Sequence, residues 1–216
     1  MKFSIEQHEA KYFSLGALPG PYDAVPLLGD IRVDATSQAL HPDRAAAALC
    51  LLFHDSVSGG FELDEPGCSP HTAAAIEGFF RPTNCNVFPV DYKPSRVVVG
   101  DAELSIVAPG AGLPDIKLDE PTGVCIRLEG EVVGMIASWD GITVSTNAML
   151  MRRENASRLQ AVLPAVGIAL LFCEDLLVGR INLPRSLIAV DARSEHELAE
   201  KVRRLLDSVG LRLRWV

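Results

Sequence analysis

The sequence predicts an α/β fold of the α+β type, organised as two βαβαβ units within one compact domain spanning residues 1–216. Three observations predict it. Apolar periodicity switches between strand and helix spacing in the order strand, helix, strand, helix, strand, first over residues 27–107 and again over 141–216. The two stretches also match residue by residue. Leu51, Leu52 and Phe53 lie 119 positions before Leu170, Leu171 and Phe172, and Asp55, Gly59, Phe61 and Leu63 lie 120 before Asp175, Gly179, Ile181 and Leu183; the one-residue slip is what a short loop insertion produces, and the match is read as an internal duplication. The composition, 48% hydrophobic with a mean hydropathy of +0.20, supplies a core and excludes a disordered chain.

In the first unit, Ile31 and Val33 alternate with Asp30 and Arg32 as a strand. His41-Pro42 opens a helix that runs to about Asp55, with His41 as its cap and Leu49, Cys50, Leu52 and Phe53 at helical spacing. Gly59-Gly60 breaks it before a strand at 61–63, and Ser69-Pro70 caps a second helix that Arg81-Pro82 ends. Strands are expected at 86–90 and 96–107. In the second unit, strands at 142–145 and 179–183 flank an apolar helix ending at 170–172. Ser194 and Glu197 form a capping box for the last helix, Gly210 stops it, and residues 211–216 alternate as a final strand.

Residues 108–140 join the units as a β-rich segment. Pro109-Gly110-Ala111-Gly112 reads as a loop, and strands at 124–128 and 131–138 read as a hairpin around Glu129-Gly130, a central insertion between the units. The glycines at 110 and 112 are followed by Leu113-Pro114 and no helix, which opposes a phosphate-binding loop.

The formal net charge is −8, with 28 acidic and 20 basic side chains, which argues against a nucleic-acid binder. The charge is polarised. Residues 1–150 hold 9 Lys/Arg against 20 Asp/Glu, a net of −11, and residues 151–216 hold 11 against 8, a net of +3. Residues 1–9 carry acids where a secretory signal is basic, and the longest apolar stretch, 161–173, contains Pro164 and is too short to span a bilayer. The five cysteines are widely spaced with no C-x-x-C pair. A cytoplasmic protein with thiols as core residues, no membrane contact and no cofactor is expected.

Gly29-Asp30-Ile31-Arg32-Val33, the Ser37 and Arg44 that follow, and the Ala/Leu-rich helix 45–53 resemble the opening of the enolpyruvyl transferase family. That family's pattern is a G-x-I-x-V strand, a loop with a lysine and a serine, then S-H-R and an Ala/Leu-rich helix. Residues 163–216 are similar to its helix, strand, capped helix, glycine and strand, and the RNA 3′-phosphate cyclases share the fold. The resemblance implies βαβαββ repeats, three per globular domain, with an active site between two domains. The family lysine falls at Thr36, only two units are present, and a comparable cleft would need a homodimer or a partner subunit. It therefore implies a divergent, non-catalytic relative that binds a small anionic ligand or a partner subunit. The alternative is a transferase acting on a phosphorylated small molecule, its site completed by a second chain.

Helix N-termini favour anions. Thr36, Ser37 and Arg44 in the first unit, and Ser145, Asn147, Arg152, Arg153 and Arg158 in the second, are therefore the candidate anion-binding residues. Arg152, Arg153 and Arg158 either clamp a phosphate or carboxylate or form a solvated loop that answers the acidic first half; both readings stand at this point. His54 and Asp55, as neighbours on a helix, are expected to point apart. No catalytic residue is assigned, and Cys173-Glu174-Asp175 lacks a histidine at metal-ligand spacing, so no metal is expected.

Overall fold

The computed structural model describes residues 1–8, 11–108, 123–130, 134–189 and 192–216. Residues 2–18, unassigned by the periodicity above, form an antiparallel hairpin of β1 (Lys2–His8) and β2 (Tyr12–Leu18), in register from Lys2 opposite Leu18 to His8 opposite Tyr12. Phe3 on β1 and Phe13, Leu15 and Ala17 on β2 are its buried residues, alternating with more exposed neighbours. Then come β3 (Asp30–Val33), α1 (Pro42–Leu52), β4 (Gly60–Glu62), α2 (Pro70–Phe80) and β5 (Asn86–Phe88). These strands make one mixed sheet, β3-β2-β1-β4-β5, in which β4 is parallel to both β1 and β5.

The second mixed sheet is built from β6 (Ala102–Val107), β7 (Gly123–Glu129), β8 (Met135–Ser138), β9 (Gly141–Ser145), β10 (Val178–Leu183) and β11 (Arg212–Trp215), in the order β11-β10-β6-β7-β9-β8. Helices α3 (Arg158–Leu170) and α4 (Arg193–Ser208) lie between its later strands in sequence. Both sheets place their first strand beside the strand that follows the first α-helix of that half: β1 beside β4, after α1, and β6 beside β10, after α3. They differ in that β2 is antiparallel to β1 whereas β7 is parallel to β6.

The helices hold the sheets together. His41 caps α1 by accepting the Asp43 N–H at 3.1 Å, Pro42 takes the first turn, and α1 is buried from Asp43 to Leu52. It lies along α3, where Gly167 faces Ala48 and Leu52: a Cβ at Gly167 would stand 3.0 Å from the Ala48 carbonyl oxygen and 2.9 Å from Leu52 Cγ. α2 packs on α4. Phe3, Phe53, Phe61 and Phe80 pack ring to ring under the first sheet, with Phe3 and Phe61 centroids 4.4 Å apart, and Phe13 meets Phe172 just past α3. One hydrophobic cluster draws on both sheets and all four helices.

Several sequence expectations are corrected. The hairpin at 124–128 and 131–138 does not form: β7 pairs with β9 in parallel, and β8 pairs with β9 antiparallel around Trp139-Asp140. In the turn between β8 and β9, Ser138 Oγ donates to Asp140 Oδ1 at 2.6 Å, and Gly141 allows a backbone approach that a Cβ would block, 1.8 Å from the Cys125 carbonyl oxygen. Residues 109–122 and 131–133, including the glycine loop, lie outside the described residues. The strand expected at 96–107 begins only at Ala102; Val97 and Val99 instead lie against Gly210. Ser194 is inside α4 rather than its cap, and Glu197 pairs with Arg193 at 2.9 Å. The capping box sits on α3, where Ser157 and Gln160 exchange side-chain-to-backbone hydrogen bonds. Among the described residues no helix is long and apolar enough to cross a membrane.

Two outcomes follow from this packing. Gly59 and Gly179, 120 residues apart in the sequence, differ in space: a Cβ at Gly59 meets nothing within 4 Å, and one at Gly179 would stand 2.0 Å from the Gly100 carbonyl oxygen. Urea unfolding of Gly179→Ala should show a loss of about 1–3 kcal/mol, and Gly59→Ala a change within about 0.5 kcal/mol. Glu103 joins β6, β10 and β11 through Asn182 at 3.1 Å, Arg180, and Arg214 at 3.3 Å. The Asn182 amide first, then the two guanidinium groups, hold its carboxyl below the usual glutamate value. A carboxyl depressed in the folded state stabilises above its unfolded pKa, about 4.3, and loses that contribution as the pH falls through the lower folded value. The stability gap between the native chain and Glu103→Gln should therefore shrink on acidification below about pH 4.3.

Candidate functional site

A cavity of about 280 Å³ opens where β1, β3 and β4, all running in one direction, reach their carboxyl ends. Ligands in open α/β sheets bind outside this end of the strands. Phe3, Ile5 and Gln7 alternate along one face of β1 and form the floor with Phe13 of β2. The roof is one stripe of α1, Pro42, Ala45, Ala46 and Leu49, at the spacing that puts side chains on a single helical face. Space remains there because two of the four are alanines.

The polar content of the cavity is small. Ser37, on the loop between β3 and α1, is 8% exposed and lines the cavity, and its Oγ is buried without a hydrogen-bond partner. The rim is the segment after β4, with Leu63 and Gly67 buried and Asp64, Glu65 and Pro66 exposed. Among the described residues that line the cavity there is no Lys, Arg or His.

The chemistry available is binding. His41, the nearest histidine in sequence to Ser37, spends Nδ1 on the Asp43 N–H and sets Nε2 3.0 Å from Ser95 Oγ, so it is not placed to activate Ser37. Burial pushes the Cys68 thiol up to about 12 and the Cys85 thiol to about 11, leaving neither as a thiolate at neutral pH. All five cysteines are buried, and none is in a disulfide. Among the described residues no group of three or more His, Cys, Asp or Glu is arranged to hold a metal.

The eight residues expected to bind an anion do not meet in one place. Ser37 faces the cavity above. Thr36 lines a separate cavity of about 340 Å³ with Lys11, Tyr12, Arg32 and Asp34. Arg44 is 1% exposed; its Nη2 donates to the Val98 carbonyl at 2.8 Å, its Nε and Nη1 have no partner, and burial lowers its pKa. Ser145 and Asn147 stitch the two sheets: the Ser145 carbonyl accepts the Asp34 N–H at 2.9 Å, and the Asn147 side chain takes the Arg32 N–H at 2.9 Å and donates to the Asp30 carbonyl at 3.3 Å.

The three arginines separate in the same way. Arg153 pairs with Asp55 at 3.3 Å, Arg158 donates to the Ser186 carbonyl at 3.4 Å, and Arg152 buries an unpartnered Nε. Arg153 thus pairs with an acid of the first half. His54 and Asp55 do meet, 3.1 Å apart, because α1 ends at Leu52 and the two lie in the turn beyond it. The contact is close without full hydrogen-bond alignment, and the His54 ring, then Arg153, hold the Asp55 carboxyl below its usual range.

A wider groove of about 660 Å³ lies between α2 and α4, floored by Ala74, Ala75 and Gly78. Much of its charge is already matched: Arg193 with Glu197, Arg204 with Glu200, and Lys201 Nζ with the Arg81 carbonyl. The cavity at Ser37 carries instead a buried polar atom with nothing to bond. No family model, no curated protein and no solved structure matches this chain, so the functional reading rests on these residues.

Proposed function

We propose that this chain is a small-molecule-binding protein whose site is the cavity between β1, β2 and α1, taking a ligand with an apolar body and one group that hydrogen-bonds Ser37 Oγ. The observation that carries this reading is the apolar cavity beside Ser37, whose hydroxyl is buried and meets no partner; an unmet buried hydroxyl costs about 1–3 kcal/mol. Small-ligand sites share this design of apolar walls with few polar anchors.

A second reading keeps the small anion and places it beside Thr36, where Lys11 and Arg32 line the same cavity, Arg32 being paired with Asp34. The recurring strand and helix order supports a duplicated unit and a kinship of architecture with the enolpyruvyl transferases. Transferase chemistry has less support, because the candidate cations are dispersed and such a reaction needs them where charge develops.

A thermal-shift screen with small aromatic and aliphatic compounds should raise the Tm of the native chain. Ala46→Phe fills the cavity and should abolish the shift. Ser37→Ala should weaken binding about fivefold to tenfold, the worth of one hydrogen bond. A ligand-dependent shift that survives in Ala46→Phe would place the site elsewhere. Stabilisation by inorganic phosphate that is lost in Lys11→Ala would favour the second reading.

A further inference from the structure

We propose that β8 is a docking edge for a second copy of this chain, the two strands pairing antiparallel about a two-fold axis at Ile136. The direction of the β8 backbone follows from its neighbours. The Cys125 N–H donates to the Asp140 carbonyl at 2.7 Å, and β7 runs parallel to β9 from Cys125 opposite Gly141. Backbone groups alternate in direction along a strand, so Ile142 and Val144 turn theirs to β7, and Gly141 and Thr143 turn theirs to β8. Their partners Ser138 and Ile136 are thereby engaged, and the N–H and C=O of Met135 and Ala137 point out of the sheet.

The other three sheet edges are met by side chains. On β3, Asn147 takes the Arg32 N–H and donates to the Asp30 carbonyl, and Thr146 Oγ1 donates to the Arg32 carbonyl at 2.8 Å. On β5 the Val87 N–H donates to Glu77 Oε1 at 3.3 Å, and on β11 the Trp215 carbonyl accepts Arg185 Nε at 3.2 Å. β8 is the fourth edge, and among the described residues no side chain meets its outward groups. It also lacks the devices that keep an edge unpaired. Met135-Ile136-Ala137-Ser138 has no charge, proline or bulge, and all four residues are exposed.

Self-pairing fits this edge in register, charge and area. Setting Met135 opposite the partner's Ala137 satisfies every outward group of both strands. It also places Ile136 against the partner's Ile136 as a non-hydrogen-bonded pair, the closer kind of cross-strand contact. The strand is uncharged, so no charge meets its like across the axis. Met135 is 48% exposed, Ile136 51%, and Trp139, in the turn just beyond Ser138, 97%. An aromatic side chain buries up to about 250 Å², so the three side chains of both copies cover on the order of 900 Å², below the roughly 1,200–2,000 Å² of stable interfaces. The dimer is therefore weak and reversible, with a Kd of about 10–300 μM.

Sedimentation velocity from about 10 μM to about 1 mM reads the association. The native chain should pass from monomer to dimer over that range. Ile136→Lys, which brings two ammonium groups together at the axis, should stay monomeric throughout. Ala137→Pro removes an outward N–H that β9 does not use and should weaken association about tenfold or more. Both variants should keep the native circular dichroism. Ile136→Cys reports the register, because the Cα atoms of a non-hydrogen-bonded pair lie about 4.5 Å apart, within disulfide range. In a glutathione redox buffer this variant should give a disulfide-linked dimer, and the native chain, whose cysteines are buried, should not.

A native chain that is still monomeric at about 1 mM overturns the proposal. A dimer that persists in both Ile136→Lys and Ala137→Pro places the contact on another surface and overturns it too. Cross-linking of Ile136→Cys no faster than that of the native chain refutes pairing about Ile136.

Discussion

The close contact between α1 and α3 is the constraint on which the rest of the molecule depends. Ala48 and Leu52 on one helix meet Gly167 on the other at a distance that leaves no room for another side chain. Helix separation is set by the residues at the contact, so these small groups draw together the helical layers belonging to the two sheets. Phe13 of the first sheet can then reach Phe172 beyond α3, and one apolar cluster runs through both halves. A second join lies at the sheet edges, where Thr146 and Asn147 bond the backbone of β3. Two polar residues that could have faced a ligand are used to hold the sheets in register.

The same alanine run explains the cavity. Ala48 faces α3, and Ala45 and Ala46, on a neighbouring face, look toward β1 and β2. Small residues that permit close packing on one side leave space on the other, because a sheet floor of Phe3, Ile5 and Phe13 cannot move up to fill it. Interiors are otherwise packed as densely as organic crystals. A gap of this size beneath a helix start, with a buried hydroxyl in its wall, therefore departs from the surrounding core in the way binding sites do.

Charge is distributed by a related logic. The acidic first 150 residues and the basic remainder meet in pairs such as Asp55 with Arg153 and Glu103 with Arg180 and Arg214. The polarity along the chain is thus partly consumed within the fold. What remains around the cavity is acidic, because the arginines of the second half are held elsewhere.

The sequence by itself determined the α/β class and much of the local punctuation, His41 and Ser69 as caps and Gly210 with a positive φ of 75° at the end of α4, whereas it placed the end of α1 near Asp55 and the cap of α4 at Ser194. These are local properties, since a cap or a period is written within a few residues. The β1–β2 hairpin was not read from the sequence, although Phe3 and Ile5, and Phe13, Leu15 and Ala17, recur at every second position. Only the tertiary structure decided that this hairpin lies in the middle of the first sheet, that β9 rather than β8 lies beside β7, and that Ser37 faces a cavity while Arg44 turns to Val98. Strand pairing joins residues far apart in the chain, and a cavity is what several elements together fail to fill. Neither has a period to read, which is why the anion cluster drawn from helix starts dispersed and the apolar site appeared where only one of its residues, Ser37, had been singled out.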